Sequence, residues 1–347
     1  MIRLARLFAS LALVLSAAAP SFAQNTTVPA PGLNEAERDT MPTLWVGDKA
    51  PPIAVSKWLK GDPSAGPEKG KISVIEFWAT WCVPCIRSMP HLADVQAKYR
   101  DKGLTVISVT TESSKNTLSQ IEAMVKEKSD TMAFTVAVDD GSKTYDAFMR
   151  TSRRSGIPCA FLINGEGTLA WIGHPMELDG AIDALLAGTL DMKAEAEAAR
   201  DYFTRFIAAR KANREYNAAK TARDWQAALK AARDLQATGL GDYAWSYGEE
   251  LEILFIQIKD YDAAYQCAER LIAQEQVLNR IAWTITAFDG IGRRDLDVAE
   301  RAARKATETE PDNPYSWRAL GAVYFRRGDR EHAIEAGFQG IRHRAQA

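Results

Sequence analysis

Cysteine is scarce in this sequence: 347 residues contain four, at positions 82, 85, 159 and 267. That is too few for a disulfide-stapled scaffold, yet enough for one reactive pair. Neither sign of charge prevails, since 43 Lys and Arg face 45 Asp and Glu for a net charge of −2. With no basic field to hold a polyphosphate, nucleic acid is not expected as a ligand. The four His, at 91, 174, 332 and 343, form no HxxxH or comparable pair, so neither copper binding nor any other metal site is expected. A phosphate-cradling Gly loop and a Ser-His-Asp order are also missing, and no cofactor is expected.

No apolar run is long enough for a membrane span at the place where one would look first. Arg3 and Arg6 precede an apolar stretch of 13 residues from Leu7 to Ala19, against roughly 20 needed to cross a bilayer. Pro20 and the triplet Ser21, Phe22, Ala23 follow. The pattern predicts a secretory signal peptide, residues 1–23, and hence an exported, periplasmic protein. No Cys stands just after the cut, which argues against a lipid anchor. Loss of Arg3 and Arg6 would move the net charge from −2 to −4. Residues 24–40 are polar and Pro-containing and read as a linker.

At this length two domains are expected. Residues 41–190 alternate strand-length apolar runs (Ile72 to Ala79, Leu104 to Thr110, Phe134 to Val138, Ala160 to Ile163, Leu169 to Ile172) with helical patterns at Cys85 to Tyr99, Leu118 to Glu127, Lys143 to Met149 and Glu177 to Leu186. They predict an α/β domain, with one more short strand near Ile53 to Val55. The turn-rich segment from Gly61 to Lys71 is assigned no chemistry.

Residues 191–347 have no strand-like run and predict an all-α domain. Small or apolar triplets recur at i, i+4, i+7: Ala228/Ala232/Leu235, Ala264/Ala268/Leu271, Ala299/Ala303/Ala306 and Ala333/Gly337/Gly340, spaced by 36, 35 and 34 residues. Trp317, Leu320, Gly321, Tyr324 and Ala333 follow the tetratricopeptide order W-x2-L-G-x2-Y then Ala, with Pro311 at the close of the preceding unit. The domain resembles a short tetratricopeptide-like solenoid of three or four helix pairs. Charges recur through every block, which fits a solvated solenoid rather than a membrane-active helix.

The chemistry concentrates in VIEFWATWCVPCIRSMP, where Cys82 and Cys85 lie between a predicted strand and a predicted helix. A helix N-terminus favours a thiolate, at about 1.36 kcal/mol per pKa unit. Cys82 is therefore the expected nucleophile, and Cys85, one turn on, resolves the mixed disulfide. Trp81 shields the pair and Pro84 sets the helix start. The alternatives are a structural disulfide or half of a metal site, and a second ligand pair at metal spacing is absent.

This WCVPC motif, with VGDKAPP at 46–52, EFWATWCVPC at 76–85 and the later IPCAFLI, resembles the exported TlpA/ResA-type thiol-disulfide oxidoreductases of thioredoxin fold. The likeness covers about residues 45–188. It implies a buried acid at Glu76, able to take the Cys85 proton, with a half-buried strand carboxylate without that role as the alternative. It also implies a helix-kinking Pro90 and a cis Pro158 after Ile157, in a loop that, with Trp81, meets an extended substrate. Cys159 stands where the family commonly has Thr, and packing as a buried strand thiol is its favoured reading. Cys267 reads as a core residue of a repeat helix, and His91 and His174 are given no catalytic role.

The leading expectation is thus an exported thiol-disulfide oxidoreductase that reduces partner proteins. By resemblance, its substrates would be apocytochromes, metallochaperones or other exported proteins, and its electrons would come from a membrane thiol donor. A disulfide isomerase or oxidant is an alternative. A peroxidase ranks lower, because Ala79 occupies the position of Thr in the PxxxTxxC order. In a different class stands an interaction module whose helical repeats recruit a peptide or protein while the Cys pair is secondary.

Overall fold

The computed structural model describes residues 34–61 and 69–344. The expected signal peptide, its cut site and most of the linker lie outside the described residues, as does the middle of the turn-rich segment. Two compact units divide the chain, the first ending at Asp201 and the second beginning at Tyr202.

In the first unit six strands form one mixed sheet in the order β1-β4-β3-β2-β5-β6. These are β1 (Val55–Lys60), β2 (Ile72–Trp78), β3 (Leu104–Thr110), β4 (Thr135–Asp139), β5 (Cys159–Ile163) and β6 (Leu169–Gly173). Strands β2, β3 and β4 are parallel, while β5 runs antiparallel to β2, β6 to β5, and β1 to β4. After a short turn α1 (Glu35–Arg38), the helices are α2 (Val83–Tyr99), α3 (Leu118–Glu127), α4 (Lys143–Tyr145) and α5 (Leu178–Leu186). Helices α2 and α3 make the crossovers that parallel neighbours require.

Burial explains which runs were legible. Strand β2 is paired on both sides, and Val74, Ile75 and Phe77 are buried, so it reads as a continuous apolar run. Phe77 stands edge-on to Tyr145 and Phe161 at 5.9 and 5.8 Å between centroids, contacts worth about 0.5–1.5 kcal/mol beyond area burial. Strand β1 begins where the expected Ile53 to Val55 strand ends. It pairs only with β4, and an edge strand with one solvated face needs no apolar run. Lys57 pairs with Glu122 at 2.5 Å and Lys60 Nζ donates to the Ser129 carbonyl. The helix expected over Lys143 to Met149 also differs, because after Tyr145 the chain widens into a π-turn over Asp146–Arg150.

The second unit is all helical. Helix α6 (Met192–Ala222), within which the division falls, is followed by α7 (Trp225–Ala237), α8 (Trp245–Glu252, widening into a π-turn over Ile253–Ile258), α9 (Tyr261–Ala273), α10 (Leu278–Ala287), α11 (Leu296–Thr309), α12 (Pro314–Arg327) and α13 (Arg330–Arg344). The recurring triplets lie on α7, α9, α11 and α13. The first three triplets are wholly buried, where small side chains let neighbouring helices approach closely. Each of those four helices opens on an Asp whose carboxylate accepts from a backbone amide of the first turn. Asp224 accepts from Ala227, Asp260 from Ala263, Asp295 from Val298 and Asp329 from His332, at 3.0 to 3.2 Å. The caps repeat with the same spacing as the triplets, four residues ahead of each, and contribute about 1 kcal/mol apiece.

Candidate active site

Strand β2 delivers the site. It ends at Trp78 and leads through Ala79, Thr80 and Trp81 to Cys82, the residue that caps the N-terminus of α2. Val83 and Pro84 open the helix, and Pro costs nothing there because the first-turn amides lack helical partners anyway. The site therefore lies at the carboxyl end of the parallel strands, as the sequence placement of the motif required.

Cys82 and Cys85 are joined as a disulfide with 5.3 Å between their Cα atoms. Both are buried, whereas Val83 between them is exposed and Trp81 beside them is partly buried against the core. The Cys85 amide points at Cys82 Sγ across 3.2 Å. In the reduced form that amide, reinforced by the helix dipole, favours a thiolate on Cys82. The Ile157 carbonyl lies 3.6 Å from Cys82 Sγ. The disulfide sulfur has no proton, so this is a contact in the oxidised state, and a Cys82 thiol is placed to donate there. The Ile157–Pro158 peptide is cis, and Pro158 is followed directly by β5. The structure thus brings Cys82, Cys85 and the Ile157–Pro158 backbone together, with Trp81 next in sequence. Pro90 lies inside α2 and withholds the amide that would bond the Ile86 carbonyl.

Glu76 sits in β2, six residues before Cys82 and 1% exposed. It is level with Ser108 on β3 and Ala160 on β5. Burial pushes its carboxyl up to about 8, and the Ser108 hydroxyl, which donates to Oε2 at 2.6 Å, holds it below where burial alone would put it. Such a group carries a proton at neutral pH and exchanges it within about one pH unit of neutrality, the range useful to a general acid or base.

Cys159 pairs with Phe77 in the β2–β5 register, on the opposite side of the sheet from Glu76 and Ala160. Burial raises its thiol to about 12, against a smaller lowering by Arg154. Cys267 is likewise buried, on α9, with its thiol raised to about 12 chiefly by burial. Among the described residues both are free thiols. His91 Nε2 lies 3.4 Å from Asp179 Oδ2, and His174 Nδ1 accepts from the Met176 amide. Neither arrangement includes a cysteine.

The sequence did not reveal Asn116. This buried side chain accepts from the amide and hydroxyl of Thr80 at 2.8 and 2.7 Å and donates to Thr110 Oγ1 and the Thr111 carbonyl at 2.9 and 2.8 Å. Its hydrogen-bonding capacity is filled. Thr110 in turn donates to the Trp78 carbonyl at 2.8 Å. The turn that carries Cys82 is thereby fastened to the end of β3. A Ser, Thr and Asn-rich run gives no signal of this beyond polarity.

Comparison with known proteins places residues 46–172 on the model of the AhpC/TSA family. Protein FixW of Rhizobium leguminosarum is 25% identical over 150 residues, 42% of this chain and 68% of FixW. The thiol-disulfide oxidoreductase ResA of Bacillus cereus is 29% identical over 124 residues, 36% of this chain and 66% of ResA. The chain thus spans about two thirds of the length of these curated relatives. Among solved structures, a putative thiol:disulfide interchange protein DsbE from Chlorobium tepidum is 27% identical, covering 42% of this chain and 99% of its own, with a TM-score of 0.32.

Proposed function

We propose that this chain, whose residues 46–172 form a thioredoxin-like thiol-disulfide oxidoreductase domain, is an exported reductant of disulfides in partner proteins. The observation that carries the reading is the position of Cys82, at the N-terminus of α2 with its sulfur 3.6 Å from the Ile157 carbonyl. A protein disulfide laid along the Ile157–Pro158 backbone, with Trp81 at its flank, would meet that sulfur.

In the reduced enzyme the Cys82 thiolate attacks one substrate sulfur. A Cys82–substrate disulfide forms and the other substrate sulfur leaves as a thiolate that takes up a proton. Cys85 then gives its proton to Glu76 in those molecules in which that carboxyl is ionised, a minor fraction at neutral pH that grows as pH nears 8, and attacks Cys82 Sγ, which expels the second substrate sulfur. The substrate gains two electrons and two protons, and the Cys82–Cys85 disulfide is restored. A dithiol donor, which we place in the membrane, reduces that disulfide for the next cycle. Apocytochromes and metallochaperones are the substrates we favour, in the periplasm, after removal of residues 1–23.

We assign the helical unit to the tetratricopeptide class on the order Trp317, Leu320, Gly321, Tyr324, Ala333 and on the 34 to 36-residue spacing. Such a solenoid would present a peptide or protein partner to the redox domain.

The Cys85→Ser variant tests the reading, because its Cys82 can attack but not be released. It should accumulate a mixed disulfide with a disulfide-bonded probe such as insulin, and Cys82→Ala should not. A reduction potential of about −250 mV or below fits a reductant, whereas about −180 to −120 mV would assign an isomerase or oxidant instead.

A further inference from the structure

We propose that the outer face of the α12–α13 pair binds a second copy of this chain, with the two α13 helices packed antiparallel. Ile334, Phe338 and Ile341 lie at i, i+4, i+7 on α13 and form one stripe. They are 60, 63 and 67% exposed, which isolated surface apolar residues can be but a continuous row of three large side chains on one helix seldom is. The stripe borders a groove of about 380 Å³ between α12 and α13, with Tyr315, Gly321, Ala336, Gly340 and Ile341 among its lining. Small residues beside an apolar row make a surface that accepts another helix.

The rest of the unit shows what such a surface receives. Helix α12 packs against both α10 and α11, and α10 packs against both α8 and α9, so each of these earlier pairs is covered by the next helix in sequence. No described residue covers the corresponding face of α12 and α13.

Self-complementarity selects a second copy as the occupant. The first half of α13 carries Arg330, Glu331 and Glu335 and is acidic on balance, and its second half carries only the basic Arg342 and Arg344. Ile334 lies four residues before Phe338 and Ile341 three after it. A two-fold axis at Phe338 therefore sets Ile334 of one copy against Ile341 of the other and brings Glu335 beside Arg342 of the partner copy. A parallel arrangement would set Glu335 and Arg342 of the two copies about two helical turns apart and forgo that pairing. Apolar burial supplies the affinity and the charges fix the orientation, in an interface where the same patch serves both copies.

Sedimentation equilibrium of the full chain tests this. The wild type should approach twice the chain mass as concentration rises. Phe338→Glu should sediment at the single-chain mass with unchanged helical circular dichroism and unchanged disulfide-exchange rate. Should Phe338→Glu lose helicity, the charge variants decide: Glu335→Arg and Arg342→Glu should each weaken dimerisation, and the double variant on one chain should restore it. A wild type that stays at the single-chain mass throughout overturns the proposal, as does a dimer indifferent to these substitutions.

Discussion

The Ser108 hydroxyl donates to Glu76 Oε2 across 2.6 Å, from one parallel strand to the next, with both residues 1% exposed. An ionised carboxylate needs more than one donor in such surroundings, so the pair is comfortable only with Glu76 protonated. The folded carboxyl loses its proton at about 8 and the unfolded one near its ordinary value of 4.5. Between these values the unfolded chain has released a proton that the folded chain retains. Stability therefore falls as pH rises through the window, by roughly 5 kcal/mol in all. Glu76→Gln keeps the shape and removes the titration. Urea unfolding at about pH 5 and about pH 9 should show that fall in the wild type and a much flatter profile in the variant. An equal fall in both would mean that Glu76 ionises freely.

The same variant separates a structural carboxyl from a proton acceptor. If Glu76 accepts the Cys85 proton, resolution of a preformed Cys82 mixed disulfide should accelerate as pH rises through about 8 and slow by roughly 100-fold in Glu76→Gln. Stopped-flow release of a thiol-containing peptide reads this directly. Unchanged rates with an altered stability profile would leave Glu76 a purely structural residue.

Asn116 holds Thr80 two residues before Cys82. Asn116→Ala removes four hydrogen bonds and leaves the Thr80 amide without its acceptor, an expected cost of about 2–3 kcal/mol. Release of the turn should also move the Cys82 sulfur relative to the Cys85 amide. A shifted potential of the pair, measured against glutathione buffers, is the readout that general destabilisation would not produce. Asn116→Asp restores only the acceptor half and should recover part of the potential.

Cys159 and Cys267 share a prediction because burial raises both thiols to about 12. At neutral pH neither offers thiolate to a reagent. After mild reduction, iodoacetamide should label Cys82 first, and Cys159 and Cys267 only on unfolding, as peptide mass mapping would show. Rapid labelling of Cys159 in the folded protein would bring it into the redox chemistry.

The parts of the fold that the sequence disclosed are those whose signal is local. The β2 run ISVIEFW is apolar because both its edges are paired, and the CVPC spacing sets two thiols one helical turn apart whatever surrounds them. Strand β1 was expected a few residues too early, near Ile53 to Val55, because VSKWLK lies at an edge, where burial demands little. Asn116 meets Thr80 from 36 positions away, and no periodicity reports such a pairing. The repeated aspartates before α7, α9, α11 and α13 were present in the sequence at the same spacing as the triplets, but an isolated Asp is common enough to pass unread. Glu76 was placed by likeness to a family, whereas its raised proton affinity follows from burial between two paired strands.

In the helical unit a single carboxylate joins three helices. Glu250 on α8 is 2% exposed and accepts from Arg233 Nε and Gln236 Nε2 of α7 at 2.8 and 2.9 Å and from Arg270 Nη2 of α9 at 2.5 Å. Burial pushes its carboxyl up, but Arg233, Gln236 and Arg270 together outweigh that and hold it below the ordinary carboxylate range. Its contribution is therefore present above the unfolded value and lost as pH falls through the folded one. Glu250→Ala should cost about 2–4 kcal/mol, somewhat under the usual figure for breaking a buried pair because both arginines reach water. Glu250→Gln should cost less, since it preserves the packing and an acceptor oxygen. Thermal unfolding followed by circular dichroism should place the Ala variant clearly below the Gln variant near neutral pH, and the gap between wild type and both should narrow in acid. A gap independent of pH would show that Glu250 acts through shape alone.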